Sequence, residues 1–247
     1  MKKLLFTLLC AALLAGCSDK RLGNDEGHGG NAKEDEGHGG NAKKEIPDDM
    51  TKAFPDNIFR AYVLKDFDID GDGKISEEEA EKVTWINVNK SFSSPDDEKI
   101  ASLEGIQYFP NLIILYCSNN KLTEEDVTQN TALTDLSCSL NQLTKLNVTH
   151  NPALEILHCQ NNRLTTLEVT QNTALTYLYC WSNYLATLDV SKTNLGNSTN
   201  DYPLLCSPMD GSGLETLYLK TSWEIPGIYP ERDDDYVPAN TKILFKD

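Results

Sequence analysis

The chain is short of basic and histidine side chains, and both shortages exclude classes of function. Of its 247 residues, 22 are Lys or Arg and 38 are Asp or Glu, which gives a formal net charge of −16. A surface this acidic repels phosphate backbones, so we expect no nucleic-acid partner. The chain has 4 histidines, and it contains no phosphate-binding loop, zinc-ligand spacing or nucleophile elbow. We therefore expect that this protein is not an enzyme.

The first apolar run is too short to span a bilayer. Residues 1–16 contain two lysines and an apolar run that ends at Leu14-Ala15-Gly16-Cys17. A short run followed by small residues indicates a secretion signal rather than a membrane helix. The ending resembles a bacterial lipobox, which implies cleavage before Cys17 and attachment of lipid to this residue. The alternative is an ordinary cleaved signal with an incidental cysteine. We predict a lipid anchor in the bacterial outer membrane, with the protein on the cell surface and no other contact with the membrane.

Residues 17–49 have the composition of a flexible tether. A decapeptide that starts at Asp25 is repeated almost unchanged from Asp35. The segment is rich in glycine and charge and lacks large apolar residues, so it cannot form a core. His28 and His38 allow a metal-binding interpretation, but two histidines in such a segment are weak evidence for a metal site. We predict that the segment holds the folded part away from the membrane.

Residues 50–84 are predicted to form a helical cap around a calcium-binding loop. Residues 68–79 match the EF-hand pattern D-x-[DN]-x-[DN]-G-x5-E at every position. Calcium takes about six to eight oxygen ligands, and acidic side chains at alternate positions supply them. Because only one such loop is present, we expect calcium to stabilise the cap rather than to act as a sensor. The predicted ligand residues are Asp68, Asp70, Asp72, Lys74 through its carbonyl, Ser76 and Glu79.

A 21-residue repeat follows, with the pattern L-x-x-L-x-C-x-x-N-x-L-T-x-L-x-V-x-x-N-x-A. Its period is set by Cys117, Cys138, Cys159 and Cys180, and it is typical of leucine-rich repeats. Each unit is too small to bury its own apolar face, so neighbouring units must stack. The sequence therefore predicts an α+β leucine-rich-repeat solenoid of about six to seven coils over residues 85–220. Its parallel strands line a concave face, and residues 221–247 form a C-terminal β cap.

The leucine and cysteine of each Leu-x-Cys segment should point to the same side of a strand, into the core. Parallel Cβ vectors on strands about 4.8 Å apart keep the Cβ atoms further apart than the ~3.8 Å that a disulfide prefers. We therefore predict a column of buried free thiols. The asparagines that follow each cysteine are expected to bond the backbone of adjacent coils. These asparagines are Asn120, Asn141, Asn162 and Asn183.

The last repeats are irregular. The next strand leucine, Leu204, comes nine positions after Leu195, so residues 196–203 are predicted to be an inserted loop. Leu214-x-x-Leu217-x-Leu219 is predicted to form the last strand of the concave sheet, with leucine in place of the cysteine.

Residues that flank the inward leucines and cysteines should face outward on the concave sheet. Aromatic side chains concentrate there toward the C-terminal end, and tyrosine and tryptophan are common in binding hot spots. The alternative is that the inserted loop or the C-terminal cap covers them. We predict a protein or glycan ligand on this face and expect the protein to be a monomer. The predicted ligand-binding residues are Tyr116, His158, Tyr177, Tyr179, Trp181 and Tyr218.

Residues 50–247 resemble the internalin J-like proteins with cysteine-ladder repeats. Together, the lipobox, the Phe54-Pro55-Asp56 helix start, the EF-hand loop and the Leu-x-Cys-Ser-x-Asn repeats resemble surface lipoproteins of Bacteroides-type bacteria. The resemblance implies a surface-anchored, calcium-binding recognition protein without catalysis. The array is shorter than is usual for internalin-type adhesins. This leaves open a structural or assembly lipoprotein of the cell envelope whose partner comes from the same cell.

Overall fold

The computed structural model describes residues 45–197, 203–207, 214–221 and 241–247. The signal sequence, Cys17, most of the tether, residues 198–202 of the inserted loop and residues 222–240 of the predicted C-terminal cap lie outside this range. The longest described helix has 11 residues, and no helix in the described ranges is long and apolar enough to cross a membrane.

The helices are α1 (Met50–Ala53), α2 (Asn57–Phe67) and α3 (Glu77–Lys82), and 3-10 turns lie at Asp96–Glu98, Ile106–Tyr108 and Leu195–Asn197. The strands are β1 (Trp85–Asn87), β2 (Ile114–Tyr116), β3 (Glu124–Asp126), β4 (Asp135–Ser137), β5 (Lys145–Asn147), β6 (Ile156–His158), β7 (Tyr177–Tyr179), β8 (Thr187–Asp189), β9 (Leu204–Leu205), β10 (Thr216–Lys220) and β11 (Lys242–Lys246).

The Leu-x-Cys segments, together with the Ile86-x-Val88 segment of β1, form a parallel six-stranded sheet with the order β1-β2-β4-β6-β7-β9, which we call the main sheet. Equivalent repeat positions lie side by side: Leu115 pairs with Leu136, and Leu157 pairs with Leu178. This register confirms the stacked leucine-rich-repeat units that the 21-residue period predicts. The delayed strand at Leu204 also joins this sheet, because β9 pairs with β7.

A second set of strands comes from the other half of the repeat, and the sequence pattern did not predict it. β3 pairs with β5, Glu168 bridges Asp189, and β8, β10 and β11 form a parallel sheet. All of these strands except β11 are built from segments of the form L-x-x-L-x-V or a close variant. From β2 onward, each described coil therefore has a strand in the main sheet and, in its other half, a strand or the Glu168 bridge of this second strand set.

The prediction that residues 214–219 continue the main sheet is wrong. β10 pairs with β8 in the second strand set, with Leu217 beside Leu188. The reason lies in the repeat itself, because the spacing of Leu214, Leu217 and Leu219 fits both halves of a unit. It matches Leu112-x-x-Leu115-x-Cys117 of the main sheet, and it matches Leu185-x-x-Leu188-x-Val190 of the second set equally well.

The interior is built from the repeated apolar positions. In the unit that contains β2, Leu112, Leu115, Cys117, Leu122 and Val127 are all fully buried. The five cysteines of the described residues are free and buried, as predicted; burial raises the pKa of the Cys159 thiol to about 12. At neutral pH these thiols are therefore neutral and pack as small apolar groups.

Two columns of asparagine tie neighbouring coils together. In the predicted column, Asn162 donates to the carbonyls of Cys138 and Cys159 at 3.0 and 3.1 Å and accepts from the Leu143 amide at 3.0 Å. A second column consists of Asn130, Asn151 and Asn172, and each of its amide groups donates to two carbonyls. These bonds satisfy backbone groups that the turns would otherwise leave unpaired in the interior.

Residues 54–56 join the helical segment to the first coils. Phe54 is fully buried among aromatic rings that include Tyr108 and Phe109. Asp56 caps α2 by accepting from the amides of Ile58 and Phe59, and its other oxygen accepts from the Ala101 amide at 2.9 Å. One carboxylate therefore fixes both the start of the helix and its position against the repeats.

Candidate functional site

The loop over residues 68–79 connects α2 to α3 and is wrapped around its own carboxylates. Asp68 accepts from the amides of Gly71 and Gly73 at 2.7 and 2.9 Å. Both glycines have positive φ angles, +74° and +80°, and glycine adopts this region at little cost. Ile75 is buried against the core. The backbone thus turns sharply while the acidic side chains stay on the inner side of the turn.

Three of the predicted ligand residues converge in this loop. Carboxylate oxygens of Asp68, Asp70 and Glu79 all lie within 4.8 Å of one another. Glu79 is buried, and it accepts from the Ile69 amide at 2.7 Å and from the Ser76 amide at 2.9 Å. The bond from Ser76 is the main reason that the pKa of Glu79 lies below its usual value. The Glu79 carboxyl is therefore ionised at neutral pH.

The other predicted ligand residues occupy supporting positions. Asp72 is outside the group of three and accepts from the Lys74 amide at 2.8 Å. The Lys74 ammonium pairs with Asp48 at 3.0 Å, so this side chain is directed at a residue before the loop. The Ser76 hydroxyl accepts from the Glu79 amide and the Glu79 carboxylate accepts from the Ser76 amide, which forms a capping box at the start of α3; the hydroxyl also donates to the same carboxylate. Glu79 is thus fixed by the same residues that begin the helix.

The outer face of the main sheet carries a continuous aromatic group toward its C-terminal end. The rings of His158 and Tyr179 are stacked, with centroids 4.8 Å apart and an interplanar angle of 17°. Tyr177 contacts Tyr179 edge-on at 5.7 Å, and Trp181 follows on the same side. All four side chains are half-buried. We call His158, Tyr177, Tyr179 and Trp181 the aromatic strip.

The first strands of the main sheet present a different surface, because their outward polar groups bond to one another. The Tyr116 hydroxyl donates to Asp135 at 2.8 Å. The Ser118 hydroxyl lies 2.9 Å from the hydroxyls of both Ser137 and Ser139. Of the predicted ligand-binding residues, Tyr116 is therefore on the predicted face but separate from the aromatic strip.

Tyr218 does not belong to this face, and its assignment there is wrong. It lies on β10 of the second strand set, where the Lys246 ammonium is 3.7 Å from the centre of its ring. The error follows directly from the incorrect assignment of β10 to the main sheet. The remaining five predicted residues lie on or just after strands of the main sheet.

His158 and Cys159 are adjacent in sequence but lie on opposite sides of the sheet. The Cys159 thiol is fully buried, whereas the imidazole stacks on Tyr179 on the outer face. Burial is also the main reason that the pKa of His158 is lowered. At neutral pH His158 therefore presents a neutral aromatic ring.

Sequence analysis missed one unusual residue, Glu125. In the second half of each repeat this position is a buried leucine, namely Leu146, Leu167 or Leu188. Glu125 is only 6% exposed, and its Oε2 atom has no hydrogen-bond partner among the described residues. Aligning the four repeats by their cysteines would have revealed this departure from the pattern.

The chain is similar to several solved structures. The functional domain of InlJ from Listeria monocytogenes, which includes a cysteine ladder, matches with 32% sequence identity and a TM-score of 0.56. The match covers 69% of this chain and 37% of that chain. This protein has an internalin-like leucine-rich-repeat fold. This chain also has a column of stacked cysteines, at Cys117, Cys138, Cys159 and Cys180, which is similar to the cysteine ladder of InlJ.

Two further internalins from Listeria monocytogenes are among the structural matches. Internalin C2 shares 19% identity with a TM-score of 0.42, over 72% of this chain and 90% of its own. The internalin InlF shares 18% identity with a TM-score of 0.38, over 69% and 51%. No protein-family model and no curated protein matches the sequence. Because this chain spans little more than a third of the matched InlJ structure, the activity and partners of the larger protein do not transfer to it directly.

Proposed function

We propose that this protein is a recognition module that binds a protein or glycan ligand through the outer face of its main sheet, the concave face of a leucine-rich-repeat solenoid. The observation that carries the proposal is the aromatic strip. Tyrosine and tryptophan offer a large rigid contact area with a polar edge, and such side chains dominate binding energy at protein interfaces. Their flat faces also stack on sugar rings.

The aromatic side chains of the strip are not needed to form the strands that carry them, so they are available for binding. The core positions of β6 and β7 are supplied by Leu157 and Leu178. Corresponding outward positions in β4 are Asp135 and Ser137, so aromatic rings are not needed to form these strands. The stack of His158 on Tyr179 also holds both rings in place before a ligand arrives, which reduces the entropy lost on binding.

Alanine substitutions in the strip test the binding face. Tyr177→Ala and Trp181→Ala should weaken binding to hits from a glycan array or a cell-surface pull-down by tenfold or more. Their unfolding temperatures should change little, because both side chains are half-exposed. Tyr218→Ala is the matched control, since it removes a half-buried tyrosine from the second strand set. Equal binding by the two strip variants and the wild type would exclude this face as the contact surface.

We propose further that the 68–79 loop binds Ca²⁺. Asp68, Asp70 and Glu79 supply hard oxygen ligands, which Ca²⁺ prefers, and their mutual repulsion at neutral pH is relieved by a cation. Bound Ca²⁺ would hold α2 against α3 and thereby rigidify the segment that packs on the first coils. Its role in this proposal is structural. Asp72, the Lys74 carbonyl and Ser76 would complete the ligand set.

Calorimetric titration with Ca²⁺ tests this site. The wild type should bind Ca²⁺, and a concentration of about 100 times Kd should add about 2.7 kcal/mol to the free energy of unfolding. Asp68→Ala and Glu79→Ala should abolish both effects, whereas Glu77→Ala, which removes an exposed charge at the start of α3, should retain them. If the two loop variants still show a Ca²⁺-dependent melt, the site is elsewhere.

We also propose that Cys17 carries lipid and anchors the protein at the outer surface of the outer membrane. The support is the signal-like segment with its Leu14-Ala15-Gly16-Cys17 ending. Protease treatment of intact cells should remove the protein, while a periplasmic marker stays intact. Survival of the protein would instead support the alternative, an envelope lipoprotein with a partner from the same cell.

A further inference from the structure

A cavity lies beside Glu125, between the segment that contains the Ile106–Tyr108 turn and the strands β3 and β5. Its volume is about 390 Å³. Glu125 is one of its lining residues and is more than nine-tenths buried, with Oε2 unpartnered among the described residues. The other lining residues are Ser102, Leu103, Glu104, Ile106, Gln107, Glu124, Asp126, Lys145 and Asn147.

The charge of this cavity favours a cation. Its wall has four carboxylates, on Glu104, Glu124, Glu125 and Asp126, and one ammonium group, on Lys145. The ammonium pairs with Glu124 at the exposed rim, at 3.2 Å. That ion pair leaves the carboxyl group of Glu125, at the buried position, without a basic partner among the described residues. The backbone of Asp126 supplies one hydrogen bond to this carboxyl, but Oε2 has no donor among the described residues, and a buried oxygen without a donor is costly.

The arrangement does not suit a metal ion. Among the described residues, the acidic side chains whose ligand atoms converge are Asp68, Asp70 and Glu79, and none of those lines this cavity. Glu125 points inward from β3, whereas its neighbours Glu124 and Asp126 are exposed, because successive side chains of a strand alternate. The volume is also larger than an ion needs, and Leu103 and Ile106 add apolar wall.

We propose that this cavity binds an alkylguanidinium group, with the Glu125 carboxylate as the acceptor at its inner end. A guanidinium is planar, presents several N–H donors in a fixed fork and is weakly hydrated, so it enters a buried site more readily than an ammonium group. Its other N–H groups can reach oxygens of Gln107, Asn147 or Ser102, and its aliphatic stem can lie along Leu103 and Ile106. An arginine side chain of a peptide and a free small guanidine both carry this chemistry.

The ionisation of Glu125 gives the proposal a distinct signature. Burial and, second, the charge of Asp126 raise the pKa of Glu125 to about 8. The other titratable groups that line the cavity are Glu104, Glu124 and Lys145, and from the interior Glu125 faces the neutral Cys117 thiol. At pH 7 about one molecule in eleven has the carboxylate that the ligand needs. A guanidinium stays charged throughout, so binding should be about tenfold tighter at pH 9 than at pH 7.

Titration of the full chain with n-butylguanidinium, followed by NMR shifts at pH 7 and pH 9, tests the site. Glu125→Leu restores the residue found in the other repeats, so the variant should fold, and it should lose binding by tenfold or more. Glu125→Gln should lose the pH dependence. Glu155→Gln, which removes an exposed carboxylate that does not line the cavity, is the control and should bind as the wild type does.

Two further probes identify the source of the ligand. A blocked Gly-Arg-Gly peptide that binds more tightly than n-butylguanidinium would indicate an arginine side chain, and weaker binding of the peptide would indicate a free guanidine. n-Butylammonium should bind at least several-fold more weakly than n-butylguanidinium. Binding that survives in Glu125→Leu, that is independent of pH, or that Ca²⁺ displaces would overturn the proposal.

Discussion

Replacing Glu125 by leucine should stabilise the protein, and by more at pH 8 than at pH 5. The site is already shaped for leucine, since Leu146 pairs directly with Glu125 across β3 and β5 and is buried. The substitution removes a buried carboxyl with an unpartnered oxygen and adds an apolar side chain. Full burial of a leucine contributes about 1.5–3 kcal/mol, and that part should be independent of pH.

The pH-dependent part follows from the raised pKa of Glu125. The folded protein has a pKa of about 8 at this residue, against 4.5 for an ordinary glutamate. Below pH 4.5 the carboxyl is neutral in both states, and ionisation has no effect on stability. Between pH 4.5 and 8 the unfolded chain loses the proton while the folded chain keeps it, so the wild type loses about 1.4 kcal/mol per pH unit. From pH 5 to pH 8 the loss is on the order of 3–4 kcal/mol, and it levels off above pH 8.

Urea unfolding at pH 5, 6.5 and 8 measures this effect for the wild type and Glu125→Leu. Urea is preferable to guanidinium chloride, because a guanidinium ion is the proposed ligand of the cavity. The difference in free energy of unfolding between the two proteins should grow by about 3–4 kcal/mol across this range. For Glu155→Gln, which removes an exposed carboxylate, the difference from the wild type should stay flat. A constant difference for Glu125→Leu would refute the buried, proton-holding carboxyl.

Four more substitutions test the backbone and the asparagine columns by urea unfolding. Gly105→Ala should cost at least 2–3 kcal/mol, because φ is +108° and an added Cβ would lie 2.2 Å from Phe54 Cδ1. Unchanged stability would contradict this packing. Leu140→Asn should raise the free energy of unfolding by about 0.5–1 kcal/mol. Leu140 has a φ of +56°, and asparagine, which occupies the equivalent position 161 in the next coil, tolerates that region better than leucine. Asn161→Leu should lower the free energy of unfolding by a similar amount. Asn162→Ala should cost about 1–3 kcal/mol or more, because three backbone groups lose their partner, and a neutral result would mean that water replaces the amide.

Sequence periodicity predicted the main sheet because its constraints recur in every unit. Leu115 and Cys117 can only be buried if the strand points them inward, and the same two positions recur 21 residues later. A register slip of one residue would expose the whole column. The buried free thiols follow from the same geometry, since side chains on parallel strands point alongside one another rather than toward one another.

The placement of β10 could not be predicted in the same way. Leu214, Leu217 and Leu219 have a spacing that both halves of the repeat use, so the pattern alone leaves two strand pairings possible. The inserted residues after Leu195 remove the fixed 21-residue distance that would otherwise decide between them. Only the three-dimensional pairing of Leu217 with Leu188 settles the choice. The wrong face for Tyr218 follows from this strand pairing, and the identity of the side chain played no part in it.

The candidate metal loop was easier to find than the cavity because its residues are contiguous. Asp68, Asp70 and Glu79 lie within one twelve-residue pattern, whereas the cavity joins residues 102–107 to strands from two different coils. No local pattern connects those segments. The sequence marks the cavity only by a departure from the repeat, because Glu125 is charged where the other repeats have leucine.

Departures from the repeat therefore carry more information about function than the repeat does. A leucine at position 125 or an asparagine at position 140 would satisfy the coil better, as the neighbouring units show. Leu140 affects only a turn, and its strain can be removed without touching a cavity or an exposed face. Glu125 differs, because its cost falls on a buried group that borders an acidic cavity. A stability cost at a residue that lines a cavity is the pattern expected when binding, rather than folding, determines the residue.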